Sequence, residues 1–229
     1  MFKWLNAELV RRQAMFEQER ELSIQGYKTI AGVDEVGRGP MAGPVVACAA
    51  VFKNFCFLPG LNDSKKLSEV ERELISEAVK RQSFSFSLGI VDSEEIDRYN
   101  IHNASLMAME RAVEGLMVKP EFLLIDGKFS IDTLPIEQLA CIGGDSSVFS
   151  ISAASVVAKV HRDNMMKELD LLYPGYGLAE HKGYCTADHM KALEKLGVSP
   201  IHRKSYRPVK EMMAKGKGCK TEQMQVDFQ

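Results

Sequence analysis

Residues 28–52 read KTIAGVDEVGRGPMAGPVVACAAVF. An apolar, strand-like approach ends in two adjacent carboxylates, Asp34 and Glu35. A glycine-flanked arginine, Gly37-Arg38-Gly39, follows at once. The stretch from 44 to 52 is small, apolar and β-branched, as a buried strand is. The two strands are expected to pair as a hairpin around GRGPMAG. Two like charges beside a guanidinium and a backbone without bulk fit either a surface turn with an ion pair or a site for metal and phosphate.

The chain around this stretch is ordinary in bulk. Its 229 residues suffice for one substantial domain with a short appendage. Hydrophobic content of 45% and charged content of 26% suit a globular protein. A formal net charge of -2 gives no global sign of a nucleic-acid partner, although a binding face needs only local positive charge. Cys48, Cys56, Cys141, Cys185 and Cys219 are scattered, odd in number and without a C-x-x-C pair. That argues against a disulfide framework and a cysteine zinc site, and suits a reducing cytosol. The start, MFKWLNAELVRRQ, turns charged at once, so it reads as neither signal peptide nor membrane span, and a cytoplasmic location is expected.

Residues 3–25 carry Trp4, Leu5, Leu9 and Phe16 at loosely helical spacing and predict a surface helix. Ser68-Glu69-Val70-Glu71 fits a capping box that starts a helix to about Arg81. SFSFSLGIV (83–91) alternates and predicts a third strand. A helix is expected from about Asn103 to Leu116, with Asn103 and Ser105 as candidate caps. EFLLIDG (121–127) and LACIGGD (139–145) each read as an apolar strand ending in glycine and aspartate. From Ser152 an amphipathic helix runs until Pro174-Gly175 stops it, and Thr186 caps a further helix that ends before Gly197. Strands, then strands alternating with helices, indicate an α/β fold: a mixed sheet flanked by helices.

Asp34, Glu35, Asp126 and Asp145 share one context, an apolar strand giving way to a glycine-containing turn. Ligand sites in open α/β sheets gather at the carboxyl ends of strands, so these residues are expected to converge. Four clustered carboxylates repel one another unless cations neutralise them. Hard oxygen ligands favour Mg²⁺ or Mn²⁺, and two such ions suit in-line phosphoryl displacement. Neighbours on a regular strand point to opposite faces, so Asp34 and Glu35 can share a site only if the strand ends, twists or bulges there. Aspartate before glycine is also a common turn pair with no further role.

At this point the chain resembles bacterial ribonuclease HII. The resemblance runs through GVDEVGRGPMAGPVV, NDSKKLS, NIHNASLMAM, LLIDG, GGDSSVFSISAASVVAKVHRD, YPGYG and HKGYCTADH, in the family's order over roughly residues 28–208. It implies a ribonuclease H-like fold with a five-stranded mixed sheet and a helical C-terminal part. It implies endonucleolytic cleavage of RNA in RNA–DNA hybrids, including single ribonucleotides embedded in duplex DNA, with 3′-hydroxyl and 5′-phosphate products. On the domain level it sets a catalytic part at 28–208, a helical extension at 1–27 and a basic tail at 209–229.

The family's acidic quartet falls on Asp34, Glu35, Asp126 and Asp145, as catalytic and metal-binding residues. Asp163, in HRD, falls on a structural ion pair outside the metal site. The glycine-arginine-glycine element falls on Gly37, Arg38 and Gly39, whose backbone can meet the 2′-OH that separates RNA from DNA. The junction-sensing tyrosine falls on Tyr184, where a ring stacks on the deoxynucleotide after the ribonucleotide. Lys65 and Lys66 are candidates for phosphate contact, Lys65 the more so; a solvated loop is the plain alternative. His161, His181, His189 and His202 lack zinc-ligand spacing. The sister class, ribonuclease HIII, usually has lysine in place of Arg38 and a longer N-terminal domain than the 33 residues before Asp34.

Residues 203–220 contain seven Lys/Arg against one Glu, a solvated tail or an aid to duplex binding. QMQVDF (223–228) has spacings like bacterial sliding-clamp binding peptides. A non-catalytic hybrid binder would be expected to have lost a carboxylate, and a phosphatase has no use for Tyr184.

Overall fold

The computed structural model describes residues 2–53, 56 and 58–216. Two helices lead, α1 (Phe2–Met15) and α2 (Glu17–Ile24), then strands β1 (Ile30–Val36) and β2 (Val45–Val51). A single 3₁₀ turn at Ser64–Lys66 precedes α3 (Glu69–Gln82), β3 (Ser85–Val91) and α4 (Ser93–Glu114). Strands β4 (Phe122–Asp126) and β5 (Glu137–Cys141) follow, with a short α5 (Gly144–Ser147) and the long α6 (Phe149–Leu172). The chain continues through α7 (Leu178–His181), α8 (Ala187–Leu196) and α9 (Arg207–Ala214). The peptide at 223–228 and the basic tail from 217 lie outside the described residues. Among the described residues, no helix is long and apolar enough to cross a membrane.

The chain forms two compact units. The first takes the chain up to Val36, Val46–Ile90 and Ser105–His161. It is built on a five-stranded mixed sheet of order β3-β2-β1-β4-β5. β1 pairs antiparallel with β2, the expected hairpin, and parallel with β4, which pairs parallel with β5. Every residue of β2 is buried, which explains its unbroken apolar run. Leu22, Ile30, Leu124, Val148 and Ile151 form one buried cluster, with Tyr27 and Phe122 packed on it. The capping box of α3 is present in full: the Ser68 hydroxyl accepts from the Glu71 amide and the Glu71 carboxylate from the Ser68 amide.

The second unit comprises Gly37–Val45, Val91–Ala104 and the chain from Arg162. Its core gathers Met41, Met166, Leu169, Tyr173, Leu193, Val209 and Met212. The predicted Thr186 cap is present, its hydroxyl accepting from the His189 amide at 3.2 Å.

Three local expectations are corrected. The single helix over 3–25 is two helices meeting at Phe16, whose ring stacks on Phe149 with centroids 3.9 Å apart. The helix expected from Asn103 begins earlier, because α4 runs from Ser93 through a kink at Asn100, which adopts φ 66. Asn100 Oδ1, rather than Asn103 or Ser105, accepts from the amides of His102 (3.0 Å) and Asn103 (3.1 Å) and restarts the helix. Finally, β1 neither ends nor bulges at Asp34-Glu35, which leaves twist as the way for both to face one site. Its register with β2 is regular through Val36↔Val46.

Candidate active site

β1 and β4 are neighbouring parallel strands, and their pairing stops at Val33↔Ile125. Asp34 and Asp126 are the next residue on each, side by side at the carboxyl end. From here the chain leaves β1 toward β2 on one side and β4 toward β5 on the other. Such a divergence opens a crevice at strand ends, where α/β sheets bind ligands.

Asp34 is only 5% exposed. Burial, then the charges of Glu35 and Asp126, push its carboxyl well above the usual range. Two bonds oppose that: the Ser155 hydroxyl donates to Asp34, and the Glu35 amide donates to Oδ1 at 2.7 Å. Asp126 is also raised, by burial and by the Asp145 charge, against amide bonds from Asp145 (3.3 Å to Oδ1) and Gly144. Asp145 sits on α5 just past β5, a helical turn rather than a strand end. Its Oδ2 meets Lys65 Nζ at 3.0 Å, and that bond raises the Lys65 pKa. The Asp63 carboxylate, accepting from the Lys65 amide at 2.9 Å, shapes the turn that presents the lysine. Lys66 turns instead toward Asp63, at 4.0 Å.

Asp34, Asp126, Asp145 and Lys65 are thus brought together. Glu35, in regular strand geometry, acts on Asp34 as a neighbouring charge. Among the described residues no three His, Cys, Asp or Glu side chains stand ready at ligand spacing. The donor set is nonetheless what a hard cation requires: oxygen-only, crowded with negative charge and partly desolvated. Ser155 escaped the sequence reading. Its only signal was a serine among the apolar residues of α6. The Ser155 hydroxyl, committed to Asp34, accepts in turn from Ser64 at 3.2 Å.

The second unit holds the glycine-arginine-glycine loop and Tyr184. Gly37 adopts φ +99, and a Cβ there would lie 2.3 Å from Arg162 Nε. Only glycine fits. Tyr184, 46% exposed, lies over Gly39, where an added Cβ would be 3.3 Å from the ring. Arg162 and Arg203, both fully buried, donate into the carbonyls of this loop. Neither drew attention as a functional residue from sequence, because an arginine's burial depends on distant partners. Asp163 is buried beside Arg162 and its charge supports that guanidinium.

Three of the histidines form a network beneath Tyr184. His189 Nδ1 lies 2.9 Å from the Tyr184 carbonyl, which only accepts, so Nδ1 carries the proton. His189 Nε2 is then the acceptor for His202 Nε2–H at 3.0 Å. His202 Nδ1 accepts from the Ser199 hydroxyl at 2.7 Å. Burial first, then neighbouring imidazoles, hold His189 down to about 4 and His202 to about 3. His181 stacks on His189 with centroids 4.2 Å apart.

The family model described as Ribonuclease HII matches residues 31–209. The chain belongs to the ribonuclease HII family. It is 50% identical over 206 residues to a ribonuclease HII of Desulfitobacterium hafniense (strain Y51), covering 90% of this chain and 79% of the relative. A ribonuclease HII of Caldanaerobacter subterraneus subsp. tengcongensis is 48% identical over 203 residues, covering 89% and 84%. The crystal structure of ribonuclease H2 from Pyrococcus horikoshii OT3 superposes with a TM-score of 0.71 at 26% identity, covering 82% of this chain and 98% of that one. The fold is therefore ribonuclease H-like, and the activity that of a ribonuclease H endoribonuclease.

Proposed function

We propose that this endoribonuclease hydrolyses the RNA strand of RNA–DNA hybrids and nicks duplex DNA on the 5′ side of a single embedded ribonucleotide, leaving 3′-hydroxyl and 5′-phosphate ends. The observation that carries this reading is the convergence of Asp34, Asp126 and Asp145, with Asp34 and Asp126 both raised by burial and by neighbouring carboxylates. Asp34, Glu35, Asp126 and Asp145 would hold Mn²⁺ or Mg²⁺, two ions in the reacting complex, with Asp145 exchanging Lys65 for metal. Bound there, the ions would supply an ionised water and Lewis acidity toward the phosphate.

The chain's own residues do the rest. Ser155 and the Glu35 amide orient Asp34. Lys65, exposed and held among the described residues by Asp145, would swing to a phosphate oxygen. The Gly37–Gly39 backbone meets the 2′-OH and Arg38 the neighbouring phosphate. Tyr184 stacks on the deoxyribose that follows.

The test is a DNA duplex with one embedded ribonucleotide and either Mg²⁺ or Mn²⁺. A nick 5′ to the ribonucleotide is expected. Asp126→Asn should abolish it while leaving binding largely intact, and normal activity in that variant would sink the four-carboxylate assignment. Residues 28–208 are the catalytic part in this reading, flanked by the 1–27 extension and the 209–229 tail. The 223–228 peptide is assigned to a sliding clamp. Equal clamp binding with and without residues 223–229 would remove that assignment.

A further inference from the structure

The backbone of the Gly37–Val45 loop is polarised. Arg203 Nη2 donates to Gly37 O at 2.6 Å and to Gly43 O at 2.8 Å, and its Nη1 to Arg38 O at 3.1 Å. The Arg203 amide takes Met41 O at 2.9 Å. Arg162 takes Pro44 O at 2.9 Å through Nε and Ala42 O at 3.3 Å through Nη2. Tyr206 donates a further bond to Arg38 O at 2.5 Å. The carbonyls at 37, 38, 41, 42, 43 and 44 are thus all committed inward. The amides of Gly37 and Gly39 make no such bond among the described residues.

Both guanidiniums are 0% exposed, and their partners are carbonyls and a phenol rather than a carboxylate. Burying two cations together is costly. Desolvation, then the charge of Arg203, lowers Arg162 to about 10. Apolar side chains would fill the same space at less cost, and carbonyls could be satisfied by neutral donors. What the arginines add is orientation and sign. A rigid fork takes several carbonyls at once, and holding the Arg38 carbonyl inward turns the Gly39 amide, across the same peptide plane, outward at an exposed position. Both positive charges stand behind this loop, offset only in part by the charges of Asp163 and Asp97.

We propose that Arg203 and Arg162 are positioning residues for ribonucleotide recognition: they lock the loop with its Gly39 amide outward and make it receptive to a sugar-phosphate. Arg203 is the discriminating member, since it holds the Gly37 and Arg38 carbonyls. Arg162 fixes the returning limb at Ala42 and Pro44. This rests on the reading that Gly37–Gly39 meets the 2′-OH.

The experiment measures equilibrium binding of the full chain to two duplexes of one sequence, all-DNA and with a single ribonucleotide. Ca²⁺ replaces Mg²⁺ and gels verify that the duplexes stay intact. Arg203→Lys keeps the charge but loses the fork. It is expected to lower the preference for the ribonucleotide duplex at least fivefold, with all-DNA binding and its salt dependence close to wild type. Arg203→Gln is expected to lose the preference and also weaken all-DNA binding. A wild-type preference retained in folded Arg203→Lys overturns the proposal. Should the Arg203 variants not fold, as judged by circular dichroism, Tyr206→Phe decides. It removes a bond to Arg38 O and one to Arg203 without touching a charge, and a two- to threefold loss of preference supports the proposal while none overturns it. Absence of any preference in the wild type overturns the 2′-OH reading and the positioning role of the arginines together. A wild-type preference that survives in the variants overturns the positioning role alone.

Discussion

Lys65 Nζ stands 3.0 Å from Asp145 Oδ2, so the carboxylate cluster carries its own internal cation. The lysine is well exposed, and an exposed pair of this kind is worth about 0.2–1 kcal/mol. A divalent ion entering the cluster must displace it. Lys65→Met is therefore expected to tighten Mn²⁺ binding to the substrate-free protein by about two- to fivefold, from that same pair energy. If Lys65 meets a phosphate in the complex, the same variant should also raise KM for duplex. Calorimetric titration with Mn²⁺ checks the first sign. Weaker metal binding would mean that Lys65 organises the site rather than competing for it.

Asp34 is held in an environment that disfavours its charge, first by burial and then by Glu35 and Asp126. Asn at this position keeps an oxygen for the Glu35 amide and removes the repulsion. Asp34→Asn is expected to raise Tm in EDTA by about 2–4 °C, the equivalent of roughly 1 kcal/mol in a chain of this size. It should also lose cleavage by about a hundredfold or more, with the Tm gain on adding Mn²⁺ abolished. Thermal melts with and without Mn²⁺ measure both. A destabilised Asp34→Asn protein would show that the bonds from Ser155 and Glu35 outweigh the charge.

The carboxylate half of this site was legible in sequence for a local reason: each aspartate ends an apolar run at a glycine, and strand ends are where α/β sheets gather ligands. The β1–β2 hairpin and the Ser68 and Thr186 caps were legible for the same reason. What escaped depends on partners far along the chain. Arg203 is 166 residues from Gly37, and nothing in its neighbours reveals that it is buried or that it faces carbonyls. Ser155 looked like a small residue in an apolar helix until Asp34 was placed against it. Asn103 looked like a cap because the left-handed turn at Asn100, three residues earlier, leaves no mark in composition. The regular course of β1 through Glu35 was equally hidden, since its register comes from pairing with β2.

Tyr184 and Gly39 make one surface, the ring lying where a Cβ on the glycine would be 3.3 Å away. If the ring reads the junction, its loss should matter most where a deoxynucleotide follows the ribonucleotide. Tyr184→Ala is expected to lower kcat/KM at a single embedded ribonucleotide about tenfold, in the range of one lost stacking contact, and on a long hybrid much less. Gly39→Ala should shift the ring by a few tenths of an ångström and give a milder version of the same bias. Parallel assays on the two substrates decide it. A uniform loss would reduce Tyr184 to packing.

The histidine relay under Tyr184 makes a prediction about pH. His189 and His202 are held near 4 and 3 by burial, against an ordinary value of 6.5. Below pH 6.5 the unfolded chain takes up protons that the folded chain refuses, so these groups make stability fall as pH drops. Their full contribution is present above pH 6.5 and is lost progressively toward pH 4, at up to about 1.4 kcal/mol per pH unit for each histidine. Protonating His189 at Nε2 would set two N–H donors against each other at the 3.0 Å contact, and protonating His202 at Nδ1 would set an N–H against the Ser199 amide that now donates to it. Urea melts at pH 7, 6 and 5 should give decreasing stability. Nitrogen chemical shifts at pH 5.5 should find His189 as the neutral Nδ1–H tautomer and His202 as the neutral Nε2–H tautomer. Either ring found protonated at that pH would contradict the relay.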